Sequence, residues 1–240
     1  MSTFVSTLPQ TIFSPVPDWG YSALQHFEFE LLNHDRPFPC TFAVTALKRG
    51  DIRFGFFDPG DRDASRKLAA ILARFIEEHR TIALRTSLVC FFRTESTDRS
   101  LAYYCQQFWT TLRALRAHDD RPWPTEIPTD PDTSEWEFCF HGEPVFVVCS
   151  SPAHDRRASR RSPWLTITFQ PRSVFDGLGP GSAHGERART AIRKRLRNFD
   201  TVDVARELQS YGQPECREWR QYFLPDTDTD VAVCPFSTES

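Results

Sequence analysis

The sequence predicts an α+β fold: a single domain with a mainly antiparallel sheet and flanking helices. Three observations lead there. Apolar residues recur at helical spacing in long stretches, as in Leu68, Ile71, Leu72, Phe75 and Ile76. Short apolar runs bounded by turn signals lie between those stretches, as in Ser87 to Phe92. Their order is neither a strict strand–helix alternation nor an all-strand series. No internal repeat is present.

In chain order, residues 1–20 contain Pro and Ser and read as a loosely packed arm, and Tyr21 to Leu32 reads as a first helix. Cys40 to Phe57 reads as a hairpin, with Thr41 to Leu47 as one strand, Lys48 to Asp51 as the turn and Ile52 to Phe57 as the return. The helix carrying Leu68 to Ile76 follows, with Asp63 as candidate cap. Ser87 to Phe92 is a strand. A second strong helix carries Leu101, Tyr104, Cys105, Phe108, Leu112 and Leu115, with Ser96 or Thr97 near its start. Asp119 to Pro131 is acidic and proline-rich, hence a loop. Phe138 to Val148 reads as a hairpin turned at His141 to Pro144, and Trp164 to Gln170 alternates as a strand. Arg187 to Phe199 reads as a helix with Ala188, Ile192, Leu196 and Phe199 inward, and Val202 to Leu208 as a short helix. The domain boundaries expected are 21–226, with an acidic tail at 227–240.

Composition narrows the class. The 240 residues are 40% apolar and 25% charged, ordinary for a globular chain. The net charge of −3 is too small to argue for nucleic-acid or membrane partners, neither of which is expected, but its distribution is uneven. Residues 119–137 hold seven acids and one base, whereas residues 155–197 hold eleven Arg or Lys and three acids. No aromatic repeat is interleaved with those arginines. The seven cysteines include no CxxC pair and several sit in apolar runs, as small buried hydrophobes of a reducing compartment do. With no signal-peptide pattern and no run of membrane-spanning length, a cytoplasmic location is expected. Gly-rich phosphate loops, GxGxxG, GxSxG and HExxH are absent, so nucleotide-dependent and common hydrolase readings have no support.

The stretch richest in chemistry is Pro152-Ala153-His154-Asp155-Arg156-Arg157-Ala158-Ser159-Arg160, directly after the apolar run Val145 to Cys149. An imidazole is a common metal ligand and one of the axial ligands of haem iron. Arginines at short spacing suit an anion such as a haem propionate. The same letters equally describe a solvated basic loop with a hydrogen-bonded histidine.

Several ordered stretches carry a family resemblance: Pro37-Phe38-Pro39-Cys40; Asp120-Arg121-Pro122-Trp123-Pro124 with Ile127-Pro128; Trp136-Glu137-Phe138-Cys139-Phe140-His141-Gly142-Glu143-Pro144; Pro152-Ala153-His154 with Arg157, Ser159 and Arg160. Gln170-Pro171-Arg172 with Phe175 comes next, then Arg189, Ile192-Arg193, Arg195-Leu196 and Asp200. Tyr211-Gly212 and Glu218-Trp219-Arg220-Gln221-Tyr222-Phe223-Leu224 complete the series. Across roughly residues 37–226 the chain resembles the YqcI/YcgG family, whose members include haem-dependent N-oxygenases that hydroxylate a guanidine or arginine-like nitrogen, as in the guanitoxin and cycloserine pathways.

The resemblance implies haem b as cofactor, a small guanidino or amino substrate, O2, and an external electron-donating reductase, since no flavin or nicotinamide motif is present. It implies His154 as metal ligand, with Arg157, Arg160 and Arg172 as cofactor-binding donors and Cys40 as a rival thiolate ligand. His141 is a candidate distal catalytic group, and otherwise the tip of a hairpin. Glu137 is a candidate catalytic carboxylate that, like Glu143, could receive a guanidinium; otherwise both are structural. Trp123 and Trp136 stack on a cofactor or pack in the core. A non-catalytic haem sensor or carrier, and a cofactor-free interaction protein using the arginine-rich segment, stay open, as does assembly, a homodimer included.

Overall fold

The computed structural model describes residues 13–96, 98–227 and 234–236. Their architecture is α+β, with six α-helices and a five-stranded sheet. In chain order the elements are α1 (Asp18–Leu32), α2 (Thr41–Arg49), β1 (Ile52–Phe57), α3 (Ala64–Ile82), β2 (Ser87–Phe92), α4 (Leu101–Ala117), β3 (Cys139–Phe140), β4 (Glu143–Ser150), β5 (Leu165–Pro171), α5 (Ala183–Phe199) and α6 (Trp219–Tyr222). Short 3-10 turns at Ala158–Arg160 and Arg172–Phe175 flank β5.

The sheet order is β1-β2-β5-β4-β3. β1 and β2 run parallel, joined by α3, with Ile52 opposite Ser87 and Phe57 opposite Phe92. The remaining pairings are antiparallel, so the expectation of a mainly antiparallel sheet holds with one parallel exception. The β3–β4 hairpin turns at His141 and Gly142, with φ of 53° and 77°. Two successive positive φ values define the tight turn that matches strand twist, and a glycine at the second position meets it without strain.

Both faces of the sheet are covered where β1 and β2 lie. Ile52, Phe54, Phe56, Val89 and Phe91 pack against α1 and α2, whereas Phe57, Leu88 and Cys90 join the opposite cluster with α3 and α4. Strands buried on both sides read as continuous apolar runs, as these do. β4 instead alternates, burying Val145, Val147 and Cys149 beneath the α3–α4 layer and α6. Leu68, Leu72, Phe75, Phe108, Leu112 and Leu115 are essentially inaccessible. Each contributes about 1.5–3 kcal/mol of burial.

Four local expectations are corrected. Thr41 to Leu47 is helix α2, not a hairpin strand: Cys40 Sγ accepts from Ala43 N at its start, and Gly50, at φ 72°, closes its end. Two alanines favour the helix, and Ala46 and Leu47 bury toward α1. Gly50 thus ends a helix rather than turning a hairpin. The cap of α4 is Ser100, whose side chain accepts from Tyr103 N; the alternative Thr97 lies outside the described residues. Val202 to Leu208 forms turns, with only Ala205 fully buried, and too few apolar residues there recur to bury a helical face. Residues 13–20 are not loose: Phe13 N donates to Phe54 O, Ser14 Oγ accepts from Phe56 N, and α1 begins at Asp18. Residues 1–12 and most of the acidic tail lie outside the described residues.

Candidate functional site

The candidate site residues converge on one short segment, Glu218 to Asp226, which includes α6 and crosses beside α4 and the β3–β4 hairpin. Glu218 Oε1 accepts from Arg172 Nη2 at 2.8 Å, and Glu137 Oε2 accepts from Arg172 Nε at 2.6 Å. Both carboxylates are almost wholly inaccessible, at 0% and 2% for Glu137 and Glu218. The Arg172 guanidinium lies 3.6 Å from the centroid of the Tyr211 ring. Burial pushes the Glu137 carboxyl well above the usual carboxylate range against the pull of Arg172, with Glu218 adding repulsion. Burial raises Glu218 likewise. Burial alone would lower Arg172, but its two carboxylate partners hold it above its ordinary value. The two carboxyls also interact directly, which favours the proton on Glu137 and the charge on Glu218, so one guanidinium serves a pair that shares a proton.

His154 occupies a second network. Its Nε2 donates to Leu224 O at 2.9 Å and its Nδ1 faces Ser151 Oγ at 2.9 Å. A carbonyl can only accept, so the network assigns the Nε2–H tautomer, with Nδ1 accepting from the serine hydroxyl. The ring is completely buried beside Phe223. Burial lowers its pKa to about 4, so it is neutral near pH 7. Arg157 donates from Nε to Pro225 O and from Nη1 to Asp203 O, while its backbone N and that of Asp155 donate to Asp226. Arg160 donates from Nη2 to Gln221 O at 3.2 Å, and its buried Nη1 has no partner. Burial lowers the Arg160 guanidinium to about 10, with Cys149 the first of the groups that oppose this.

The third feature is a cavity of about 310 Å³ between α4 and α6. Leu101, Trp109, Trp219 and Phe223 form apolar walls, with Arg220 and Glu207 as polar groups. Cys105 also borders it, and burial holds this thiol above its ordinary pKa.

The other expected residues lie elsewhere or have other partners. Cys40 caps α2, and burial raises its thiol, which disfavours the thiolate an iron would need. His141 sits at the hairpin tip, Nε2 at 3.1 Å from Glu77 and Nδ1 at 3.6 Å from Asp120. Trp136 stacks on Trp123 and packs against Tyr222 in the core. Glu143 is half-buried in β4. The arginine-rich segment is only partly solvated: Arg189, Arg193 and Arg195 each donate to a backbone carbonyl, of Leu178, Leu208 and Phe38. The sequence reading did not select Glu218, Arg220 or Tyr211 as site residues, although all three lie in the stretches that carried the resemblance.

A haem seat requires a ligand atom with a free lone pair and donors for propionates. The residues named for it do not fit as they stand. His154 cannot ligate iron without surrendering a hydrogen bond to Ser151 or Leu224, and Arg172 is matched by two carboxylates. Free donor capacity is instead found at Arg160 Nη1 and Arg220 Nε, which suits an anion.

The model of the YqcI/YcgG family matches residues 27–237. Two uncharacterised Bacillus subtilis (strain 168) proteins are similar throughout: YqcI is 36% identical over 231 residues, covering 95% of this chain and 91% of that one. YcgG is 35% identical over 238 residues, covering 98% and 94%. A Streptomyces lavendulae protein provisionally named N(omega)-hydroxy-L-arginine synthase DcsA is 34% identical over 210 residues, covering 85% and 79%. No solved structure matches the chain.

Proposed function

The chain belongs to the YqcI/YcgG family, and from that premise we propose that it is an N-oxygenase hydroxylating a nitrogen of a small guanidino or amino compound related to arginine. The observation that carries this reading is the 34% identity over 85% of the chain to the relative whose name specifies N-hydroxylated arginine as product. Replacing N–H by N–OH with O2 consumes two electrons and two protons and releases water. An external reductase supplies the electrons, because the sequence carries no flavin or nicotinamide motif. Among the described residues, no helix is long and apolar enough to cross a membrane.

Haem b is the cofactor that the resemblance implies, and iron would supply O2 activation there. His154 offers no free nitrogen, so no step is drawn through iron. The chain's own residues contribute recognition. Aromatic walls beside α4 exclude water from part of a ligand.

The test is twofold. Protein expressed with a haem precursor is examined by absorption spectroscopy, oxidised, reduced and with CO. The same protein is then incubated with L-arginine, labelled dioxygen and a reductase system, and the products are weighed by mass spectrometry. A labelled N-hydroxy product supports the reading. A protein that takes up haem but yields no N-oxygenated product from arginine or other guanidino compounds refutes it. Failure to take up haem, with product still formed, removes haem alone.

A further inference from the structure

The cavity between α4 and α6 is bordered by a half-buried arginine with one unmatched donor. Arg220 lies at its edge, and its Nε is buried without a hydrogen bond. Among the described residues, no carboxylate pairs with this guanidinium. Its central carbon lies 5.1 Å from the centroid of the Trp219 ring. Other inward-facing arginines are better matched: Arg172 by two carboxylates, Arg157 by two backbone carbonyls, while Arg160 keeps one donor unmatched but borders no part of this cavity. A buried donor left unmatched is costly, so such a group usually meets a partner that the folded chain does not supply.

The surroundings define that partner. A guanidinium fork pairs best with a planar two-oxygen anion, that is, a carboxylate. The walls, Leu101, Trp109, Trp219 and Phe223, suit an aliphatic or flat body. The volume of about 310 Å³ falls at the lower end of the ~300–1,000 Å³ typical of small-molecule sites. Glu207 lies on the same lining, but its carboxylate already pairs with Arg206 at 3.1 Å, so the open charge of the cavity is positive.

We propose that this cavity binds the α-carboxylate end of an amino-acid substrate, with Arg220 as the carboxylate receptor and the aromatic walls covering its aliphatic body. The identification of the ligand as a guanidino amino acid rests on the N-hydroxylation reading; the carboxylate requirement rests on Arg220 alone. Arg220 is therefore a specificity-determining binding residue, selecting amino acids over the corresponding decarboxylated amines.

Titration of the purified full-length protein with L-arginine and with agmatine, its analogue lacking the carboxylate, tests this by calorimetry and by tryptophan fluorescence. Trp109 and Trp219 lie in the cavity wall, so occupancy changes the emission. Arginine is expected to bind and agmatine to bind roughly 10- to 100-fold more weakly, the range for losing a charge-assisted hydrogen bond. Arg220→Gln is expected to weaken arginine by the same factor and leave agmatine unchanged. Arg220→Lys, which keeps the charge without the fork, should fall between and guards against a misfolded glutamine variant, whose thermal unfolding is checked alongside. Equal affinity for the two ligands, no arginine binding, or arginine affinity indifferent to both substitutions overturns the proposal. Arginine binding that depends on Arg220, without any N-hydroxy product, leaves the carboxylate site standing and removes the N-oxygenase reading.

Discussion

Replacing Arg172 by Met withdraws the cation that Glu137 and Glu218 share. The ion pairs measure 2.6 and 2.8 Å, with the two carboxylates 0% and 2% exposed and Arg172 25% exposed. Breaking a buried pair by removing one partner costs about 3–5 kcal/mol, since the remaining charge is uncompensated. Methionine fills part of the volume over Tyr211 but supplies no donor. For a chain of this size about 2–4 °C of melting temperature accompanies each kcal/mol, so a fall of about 6–20 °C is expected. The loss depends on pH. Both carboxyls titrate above their ordinary range when folded, so between that range and the raised values the folded state holds more protons than the unfolded one. Stability from such groups is fully present below the ordinary carboxylate pKa of about 4.3 and is lost as pH rises through the folded values. Without Arg172 those values rise further, so the deficit of the variant is larger at pH 8 than at pH 5. Urea unfolding followed by tryptophan emission at both pH values measures it. The companion Glu137→Gln leaves Arg172 and Glu218 as a matched pair and is expected to change stability by about 1 kcal/mol or less. An Arg172→Met protein within about 1 kcal/mol of wild type at pH 8, or with equal deficits at both pH values, refutes this account of the cluster.

Other substitutions probe the remaining features. His154, lowered from 6.5 to about 4, stabilises the fold above pH 6.5, and that contribution is lost as pH falls toward 4; on the order of 3 kcal/mol is involved at about 1.4 kcal/mol per unit. His154→Gln should flatten this segment of the stability–pH curve, measured by urea unfolding from pH 4 to 7. A Cβ on Gly185 would run into the backbone oxygen of Leu178, so Gly185→Ala should cost about 1–3 kcal/mol and lower the melting temperature. Cys40→Ser keeps a side-chain acceptor for Ala43 N and should melt within about 2 °C of wild type, consistent with a capping role. In the wild type, Cys40 should alkylate slowly at pH 7.5, because burial keeps it a thiol.

Where the fold was legible, one periodicity acted without competition. β2 begins and ends where the apolar pattern places it, and the β3–β4 turn falls on His141 and Gly142. The stretch Thr41 to Leu47 misled because alternating apolar and β-branched residues satisfy a strand as well as a helix. Deciding between them took the cap at Cys40, the stop at Gly50 and the neighbouring α1 face. Val202 to Leu208 misled in the opposite direction: a sequence able to form a helix did not, because no face existed to bury it.

The site was legible as a set of residues but not as a set of partnerships. Buried charge balance is a tertiary property: spacing cannot show that Arg172 meets Glu137 across 35 residues and Glu218 across 46. Nor can it show that His154 reaches Leu224 across 70. Each of these bonds ends on the C-terminal segment or on a group tied to it, so that segment fixes the buried networks together. Phe223 touches the His154 ring on one side and lines the cavity on the other, while Trp219 follows Glu218 directly and lines the cavity too. Ordering residues 218–226 therefore sets the polar networks and the cavity wall at once, and a ligand seated on Arg220 would stabilise the same segment. Binding there should raise the melting temperature of the whole chain by simple linkage, by about 2.7 kcal/mol of stability at a hundredfold excess over the dissociation constant. A ligand that binds without shifting the melting temperature would mean that this segment is not integral to the cooperative fold.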